Sequence, residues 1–380
     1  MRYYLLLCLP LFALCERGFA YPGYIGFGYS QCLTCHYNPL GDGPLTDYGR
    51  ALSAIEISGK LLASGRSDEE IAKASGFLGP LGELPSWLRL EAQYRGLYLQ
   101  AGIQSDKPNR RWINMQADLS AILKFMEDKL VAVGTLGYTP TPATASSTSN
   151  LISRQHYVGY KPLKSFGVYA GMMDVAFGIH IPDHNAFLRS RTVLDKNDQV
   201  HGVLLNFFGK SWDSSLHLFA GNLFQDADLR QKGLSDVTEF EVLENFRVGG
   251  SLLATSGTFR SRQMAAFHAR LGIGKGSSIL AELGLVRDVP VGQTTKLGDV
   301  YFLQSMIRLF PGLYLLMTFE HYAQDFTTSG PRFYRIGPSI DYIPFQRVEF
   351  RLDFLGSRTL GTGTLNPDVY TVQSQVNIWL

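Results

Sequence analysis

Four stretches of this 380-residue chain alternate apolar and polar residues with a period of two. They cover residues 88–98, 113–121, 348–354 and 370–380. Such alternation predicts β-strands, because successive side chains of a strand point to opposite faces of the sheet. Polar groups on every second position, continuing to the last residue, are typical of a transmembrane barrel with a polar lumen. A periplasmic sandwich or propeller with one solvated face would alternate in the same way, so that alternative stays open.

About 15 strands can be counted between Trp87 and Leu380, one of them running from Phe240 to Ala254. The alternation slips by one step between Leu223 and Glu239, and a further strand there would give the even number that single-chain bacterial barrels have. The 12% aromatic residues and 39 glycines also favour a sheet with many tight turns. We therefore predict an all-β, antiparallel transmembrane barrel of about 16 strands, with 14 as the second choice, over residues 86–380.

The first 20 residues have the features of a secretion signal. Arg2 precedes an apolar run from Tyr3 to Cys15, and the small residues Gly18 and Ala20 mark a cleavage site. The run is shorter than the roughly 20 residues that a membrane-spanning helix needs, and no later stretch is long enough, so we expect no transmembrane helix. A formal net charge of +2 excludes the strongly basic surface that nucleic-acid binding requires.

Soon after the signal comes the segment Cys32-Leu33-Thr34-Cys35-His36. Two cysteines at this spacing, followed directly by histidine, match the attachment pattern of haem c. Both thiols then form thioethers with the haem, and the imidazole binds the iron. We predict one covalent haem c on Cys32 and Cys35, with His36 as the proximal iron ligand. A disulfide or a thioredoxin-like redox pair is the alternative, whereas a zinc site would need a second pair of ligands.

Residues 21–85 form the haem-bearing segment in this interpretation. We expect a helix over residues 45–57, capped by Asp47, and a second short helix beginning at Ser67, where Ser67 and Glu70 stand in capping-box register. A segment of this size buries too little surface to enclose a haem alone. We therefore expect it to plug the barrel, entering from the periplasmic side.

The distal iron ligand is not fixed by the sequence. After His36 the next histidine or methionine is Met115, which the alternation points toward lipid. The alternation instead places four other candidates on the polar, lumen-facing side: His268, Met264, His217 and Met306. Further histidines lie in or beside a long loop and could equally face solvent: His180, His184 and His201.

The region from about Gly28 to Leu52 also carries a family resemblance. It contains the Cys32 to His36 motif, then Pro39 and Leu40, then a Leu45 to Arg50 segment that ends in an aromatic-Gly-Arg step. With a signal peptide and a barrel in the same chain, this resembles the fused monohaem cytochrome-porin family of outer-membrane, iron-oxidising-type cytochromes. The resemblance implies a Gram-negative outer membrane with the N-terminus in the periplasm. It also implies electron exchange with a periplasmic c-type cytochrome or other carrier, and iron or another redox substrate outside the cell.

Three functions stay open on the sequence. The first is an outer-membrane electron-transfer protein, of which an iron oxidoreductase would be one form. The second is a porin whose haem is a structural or sensory plug. The third is a soluble periplasmic monohaem cytochrome.

Overall fold

The computed structural model describes residues 22–29, 31–41, 43–63, 65–138, 150–181, 183, 185–195, 198–361 and 368–380. The predicted signal peptide and His184 lie outside these residues. The helices are α1 (Pro22–Gly26), α2 (Cys32–Cys35), α3 (Asp47–Leu52, continued by a π-helical turn over Ser53–Ile57), α4 (Asp68–Ala74) and α5 (Phe187–Ser190), with 3-10 turns at Gly79–Leu81 and Ala227–Leu229. No helix in these ranges is long and apolar enough to cross a membrane.

Sixteen antiparallel strands form a closed barrel in which sequence neighbours pair and β1 also pairs with β16. The predicted fold class and strand number are thereby confirmed. The strands are β1 (Leu88–Ala101), β2 (Asn109–Phe125), β3 (Leu130–Tyr138), β4 (Leu151–Leu163), β5 (Phe166–Met173), β6 (Val200–Phe208), β7 (Trp212–Phe219), β8 (Lys232–Leu243), β9 (Phe246–Ser256), β10 (Arg260–Gly274), β11 (Ser277–Pro290), β12 (Lys296–Phe310), β13 (Leu313–Ala323), β14 (Arg332–Phe345), β15 (Val348–Leu360) and β16 (Val369–Trp379).

The predicted single strand from Phe240 to Ala254 is wrong, because it comprises the end of β8 and most of β9. Strand β8 is the additional strand whose presence the parity argument required. Its alternation is obscured because the apolar Val237 faces the lumen and packs against the buried cluster there. On the outer face, the Thr238 hydroxyl donates to the Asp236 carboxylate at 3.2 Å. The exchange of polar and apolar faces is confined to residues 236–238, because Ser235 and Glu239 still face the lumen while Leu234 and Phe240 are exposed on the outer face.

Met115 is a second correction to the alternation. The β1–β2 register shifts opposite Arg95 and Gly96, which pair with Gln116 and Asn114 and leave Met115 as the extra residue of a bulge. Because a bulge turns its extra residue out of the regular alternation, Met115 lines a cavity in the lumen. The prediction that it points to lipid is wrong.

The two ends of the barrel differ. Two-residue connections join β8 to β9, β10 to β11 and β12 to β13 at one end, which also holds the start of β1 and the end of β16. Longer loops close the other end, the longest running from residue 174 to 199 between β5 and β6. We refer to these as the short-turn end and the long-loop end.

The outer face is apolar between two bands of aromatic rings. Leu119, Leu218 and Leu252 are at least half exposed in mid-strand. A continuous apolar surface that extends around a barrel is unfavourable in water. Rings near the short-turn end belong to Phe125, Tyr160, Phe166, Phe207, Trp212, Phe240 and Phe310. Rings near the long-loop end belong to Tyr98, Trp112, Tyr138, Phe259, Tyr334 and Tyr370. An apolar band between aromatic girdles is the surface pattern of transmembrane barrels.

The N-terminal segment, residues 22–81, docks inside the barrel at the short-turn end. Arg89 of β1 donates two hydrogen bonds to the Asp47 carboxylate, of 2.6 and 2.7 Å. The Gly59 amide donates to the Ile343 carbonyl oxygen at 2.7 Å. The Arg347 guanidinium donates to the carbonyl oxygen of Gly76 at 2.6 Å. These contacts link the segment to β1, to β14 and to the turn between β14 and β15.

Two helices of this segment were predicted. The second begins as expected, with Ser67 and Glu70 forming a complete capping box before α4. The first spans residues 47–57 as an α-helix and a π-helical turn, and it begins two residues later than predicted. Its cap is Thr46, whose hydroxyl accepts a hydrogen bond from the Gly49 amide at 3.1 Å, while Asp47 pairs with Arg89 instead.

Candidate functional site

The cysteine motif lies on α2, a single helical turn inside the barrel. Cys32 and Cys35 are its first and last residues, and they form no disulfide with each other. Residues three apart on a helix share a face. His36 follows directly, and its amide closes the turn by donating to the Cys32 carbonyl oxygen at 2.9 Å. The local fold therefore presents the two sulfur atoms and the imidazole together, as covalent haem attachment requires.

The imidazole of His36 is oriented by the backbone. Its Nδ1 atom lies 3.2 Å from the carbonyl oxygen of Gly43. A carbonyl oxygen only accepts, so Nδ1 carries the proton, and Nε2 of the neutral ring presents a lone pair. Metal-binding histidines are commonly held in this way by a backbone carbonyl. Gly43 adopts a positive φ of 74°, a conformation that glycine tolerates best.

Two adjoining cavities surround the motif. A cavity of about 290 Å³ extends from His36 along the polar wall of the lumen. A smaller one of about 70 Å³ is lined by Cys32, Cys35 and the apolar Leu40 and Leu280. The larger volume is close to the lower limit of roughly 300 Å³ for small-molecule sites. Four residues line both cavities: Tyr24, His36, Gly41 and His180.

A network of buried charged groups stands beside Cys32 on the barrel wall. Glu239 of β8 is its centre, and it accepts hydrogen bonds from Arg270 and, at 2.9 Å, pairs with Nε2 of His268. Arg247 forms ion pairs with both Asp213 and Glu239. Arg270 and Glu239 also line the smaller cavity. Buried charges of this kind are stable only when paired, so these side chains fix the wall of the cavity.

The environment keeps both thiols protonated. Burial raises the pKa of the Cys32 thiol to about 11, and the nearby positive charge of Arg270 offsets this only in part. Burial, with a contribution from Cys32, raises the pKa of Cys35 to about 12. A redox-active cysteine pair or a zinc site needs thiolates, which such surroundings disfavour. The sulfur of a thioether is uncharged, so the same surroundings suit it.

The residues present therefore fit a covalent haem. The motif supplies two sulfur atoms and an oriented imidazole, and the space beside them is bounded by apolar side chains on one side and polar ones on the other. Among the residues that the structure describes, no three His, Cys, Asp or Glu side chains are grouped as a metal ion alone would need. Cys32, Cys35 and His36 would hold the haem, and its iron would supply one-electron redox chemistry.

The four predicted distal ligands face the lumen but line neither cavity. His268 is engaged with Glu239. Met264 lies in an apolar cluster beneath the long β5–β6 loop. Met306 packs in the same buried cluster as Cys35. His217 is fully buried, and neither ring nitrogen has a hydrogen-bond partner among the described residues.

The sequence left His180 undecided between lumen and solvent, and the structure brings it to the motif. The loop over residues 174–199 folds into the lumen from the long-loop end, and its Ile179 packs in one cluster with Ile25 of α1. The N-terminal segment and this loop thus meet inside the barrel. His180 lines both cavities together with His36. Its position depends on contacts between residues far apart in sequence, so no local pattern reveals it.

Together these features define a porin-type, 16-stranded barrel whose lumen contains a cysteine-histidine motif. Solved porin structures share the fold. The chain is similar to the outer-membrane expressed OmpT of Vibrio cholerae, with a TM-score of 0.60 and 10% identity over 77% of this chain and 97% of that one. It is similar to the anion-selective porin from Comamonas acidovorans, with a TM-score of 0.59 and 9% identity over 77% and 99%. It also resembles Salmonella typhi OmpF in complex with daunomycin, with a TM-score of 0.58 and 11% identity over 77% and 97%.

No protein-family model matches the sequence, and no curated protein matches it. At these identities the structural likeness establishes the barrel fold alone.

Proposed function

We propose that this chain is an outer-membrane c-type cytochrome that moves single electrons between an extracellular donor or acceptor and periplasmic carriers. The observation that carries this proposal is the position of the Cys32-to-His36 motif inside a closed barrel, with both thiols and an oriented imidazole beside a cavity. Cys32 and Cys35 form the thioethers, and His36 is the proximal iron ligand. The bound haem provides the one-electron centre.

The surface of the barrel supports a membrane location. Strands of 9 to 11 residues are long enough to cross a bilayer when tilted, and most strands here reach or exceed that length. Bacterial outer-membrane barrels keep short turns in the periplasm and long loops outside. The short-turn end, with the docked N-terminal segment, then faces the periplasm. A periplasmic c-type cytochrome or another soluble carrier would approach the protein there.

The filling of the lumen favours electron transfer over solute passage. The N-terminal segment occupies the barrel from the short-turn end, and the loop over residues 174–199 enters from the other. They meet where Ile25 packs against Ile179. The porin alternative needs a continuous aqueous path, whereas an electron needs only a redox centre placed between the two faces of the membrane.

The donor follows from the family resemblance, which makes Fe(II) the first one to test. Each Fe(II) ion oxidised to Fe(III) outside the membrane would release one electron. That electron would reduce one molecule of a one-electron carrier in the periplasm, and no atom or proton is transferred between them. Within this scheme the protein's own residues hold the haem, orient His36 and restrict water around the site.

Reconstitution into liposomes tests the proposal. Vesicles would contain trapped ferric cytochrome c, and Fe(II) would be added outside. We expect the trapped cytochrome to become reduced in vesicles with the wild-type protein. A Cys32→Ala/Cys35→Ala variant should leave it oxidised, and a Thr34→Ala variant, which keeps both thiols, should behave as wild type.

Planar-bilayer conductance of the same preparations distinguishes the porin alternative from electron transfer. An open-channel conductance, together with vesicles whose contents stay oxidised, would show that the barrel transports solutes and not electrons. Release of the protein from cells without detergent would instead support the soluble cytochrome.

A further inference from the structure

We infer that His180 would be the second protein ligand of the iron when a haem is held by Cys32, Cys35 and His36. This inference rests on the proposed function, because it requires that haem is attached to the motif. Its basis is a shared location: His36 and His180 are the only two histidines among the described residues that line either cavity, and both line the two of them. His180 is therefore the one other histidine of the described residues that borders the space in which a group bound through His36 would lie.

The two residues that precede His180 in the loop are hydrogen-bonded to the barrel wall. The Gly178 amide donates to the Ser251 hydroxyl at 3.0 Å, and the Ile179 amide donates to the Glu282 carboxylate at 2.6 Å. Gly178 has a positive φ of 63°, and a Cβ at this position would lie 2.5 Å from the Glu282 carboxylate. Glycine tolerates this positive φ best, and a Cβ here would require the Glu282 carboxylate to shift. Two adjacent backbone amides are thus tied to β9 and β11 of the barrel wall, which fixes where the chain delivers His180.

The N-terminal segment holds His180 from the other side. Ile179 packs against Ile25 of α1, and α1 immediately precedes the cysteine motif in the chain. The Nε2 atom of His180 is buried from solvent, so the ring is directed into the protein. Histidine and methionine are the usual distal ligands in electron-transfer cytochromes, and of these the imidazole gives the lower reduction potential.

Other side chains are less well placed. Met115 lines the larger cavity but not the smaller one that contains Cys32 and Cys35. His217 lies on the wall beneath the loop and lines neither. These two residues supply matched controls, since each offers a ligand type found in cytochromes within the same lumen.

The test compares five purified proteins whose haem attachment has been verified by staining on a denaturing gel. They are the wild type, His180→Ala, His180→Met, His217→Ala and Met115→Leu. Electron paramagnetic resonance and near-infrared magnetic circular dichroism of the ferric proteins report the axial ligands directly. We expect a low-spin, bis-imidazole signature in wild type, His217→Ala and Met115→Leu. His180→Ala should lose it and regain it when imidazole is added. His180→Met should show histidine-methionine ligation and a higher reduction potential.

Two failures are distinguishable. Wild-type protein with no haem-stained band would refute the proposed function and this inference together. A stained wild type whose ligation is unchanged in His180→Ala, or is lost in His217→Ala or Met115→Leu, would overturn the assignment of His180 alone.

Discussion

The hydroxyl of Tyr314, on the inner wall of β13, donates a 2.7 Å hydrogen bond to the carbonyl oxygen of Ile57 in the N-terminal segment. Both residues are buried in the cluster that also contains Cys35. The bond joins the C-terminal end of the longest helical stretch of the segment to the barrel. A directional contact between buried groups fixes how the segment sits in the lumen, and the geometry around the motif depends on it.

Replacing Tyr314 by phenylalanine should loosen this docking without unfolding the barrel. The change leaves the Ile57 carbonyl buried without its donor, which costs roughly 1–3 kcal/mol. If the segment detaches and docks again faster than the protease cleaves it, proteolysis of residues 22–81 should accelerate about five- to 150-fold. Tyr160→Phe, on the exposed outer surface, is the control. Equal cleavage rates for the Tyr314→Phe variant and wild type would show that this contact does not hold the segment.

Docking should also depend on pH through Asp47. Burial opposes ionisation of this carboxyl group, but the hydrogen bonds and charge of Arg89 outweigh burial and hold its pKa below the usual range. A lowered pKa in the docked state means that the contribution is fully present above the ordinary pKa of about 3.9 and is lost as the pH falls through the lowered value. Hydrogen exchange should therefore show better protection of α3 in wild type than in Asp47→Asn at pH 7. The difference should shrink as the pH falls below the ordinary pKa of about 3.9, and a constant difference as the carboxyl group is protonated would exclude the ion pair as its source.

The buried thiols predict slow alkylation of protein produced without haem attachment. With a pKa of about 11 for Cys32, the reaction with iodoacetamide at pH 8 should be roughly 200-fold slower than for an ordinary thiol of pKa 8.5. The rate should rise about tenfold per pH unit up to pH 10. The same protein unfolded in urea provides the reference. A rate that levels off below pH 9 would reveal a stabilised thiolate and favour a redox-active cysteine pair.

Gly178→Ala should displace the loop that enters the lumen. A left-handed conformation costs a non-glycine residue about 1–2 kcal/mol, and the new methyl group would also contact the Glu282 carboxylate. We expect faster amide hydrogen exchange at residues 178–180, by about fivefold or more. Gly250→Ala is the matched control, because the nearest atom to its added Cβ is 3.7 Å away. Unchanged protection in Gly178→Ala would mean that the loop position does not depend on this close approach.

The barrel was predictable because its information is local and repeats along the chain. Strands such as β2 and β15 expose one face to lipid and one to a polar lumen, and the period of two records this directly. The alternation did not predict the facing of residues where the docked segment covers the lumen wall. Val237 is apolar although it faces inward, because it packs against the docked segment. Met115 was misplaced because a bulge adds one residue without a signal in the sequence.

The site was predictable in part for the same reason. Cys32, Cys35 and His36 form a contiguous motif whose spacing predicts haem attachment. His180 stands 144 positions beyond His36, and it is held at the site by contacts of its loop, such as the hydrogen bonds to Ser251 and Glu282 on β9 and β11. Contacts over such sequence distances leave no periodic trace.

The central claim is that haem is covalently attached inside this barrel, and the most direct measurement is haem staining after denaturing electrophoresis, with the intact mass of the same band. The account predicts a stained band in wild type whose mass exceeds that of the mature polypeptide by one haem. The Cys32→Ala/Cys35→Ala variant should migrate as an unstained band without the added mass. A wild-type band that does not stain and carries no added mass would contradict the account.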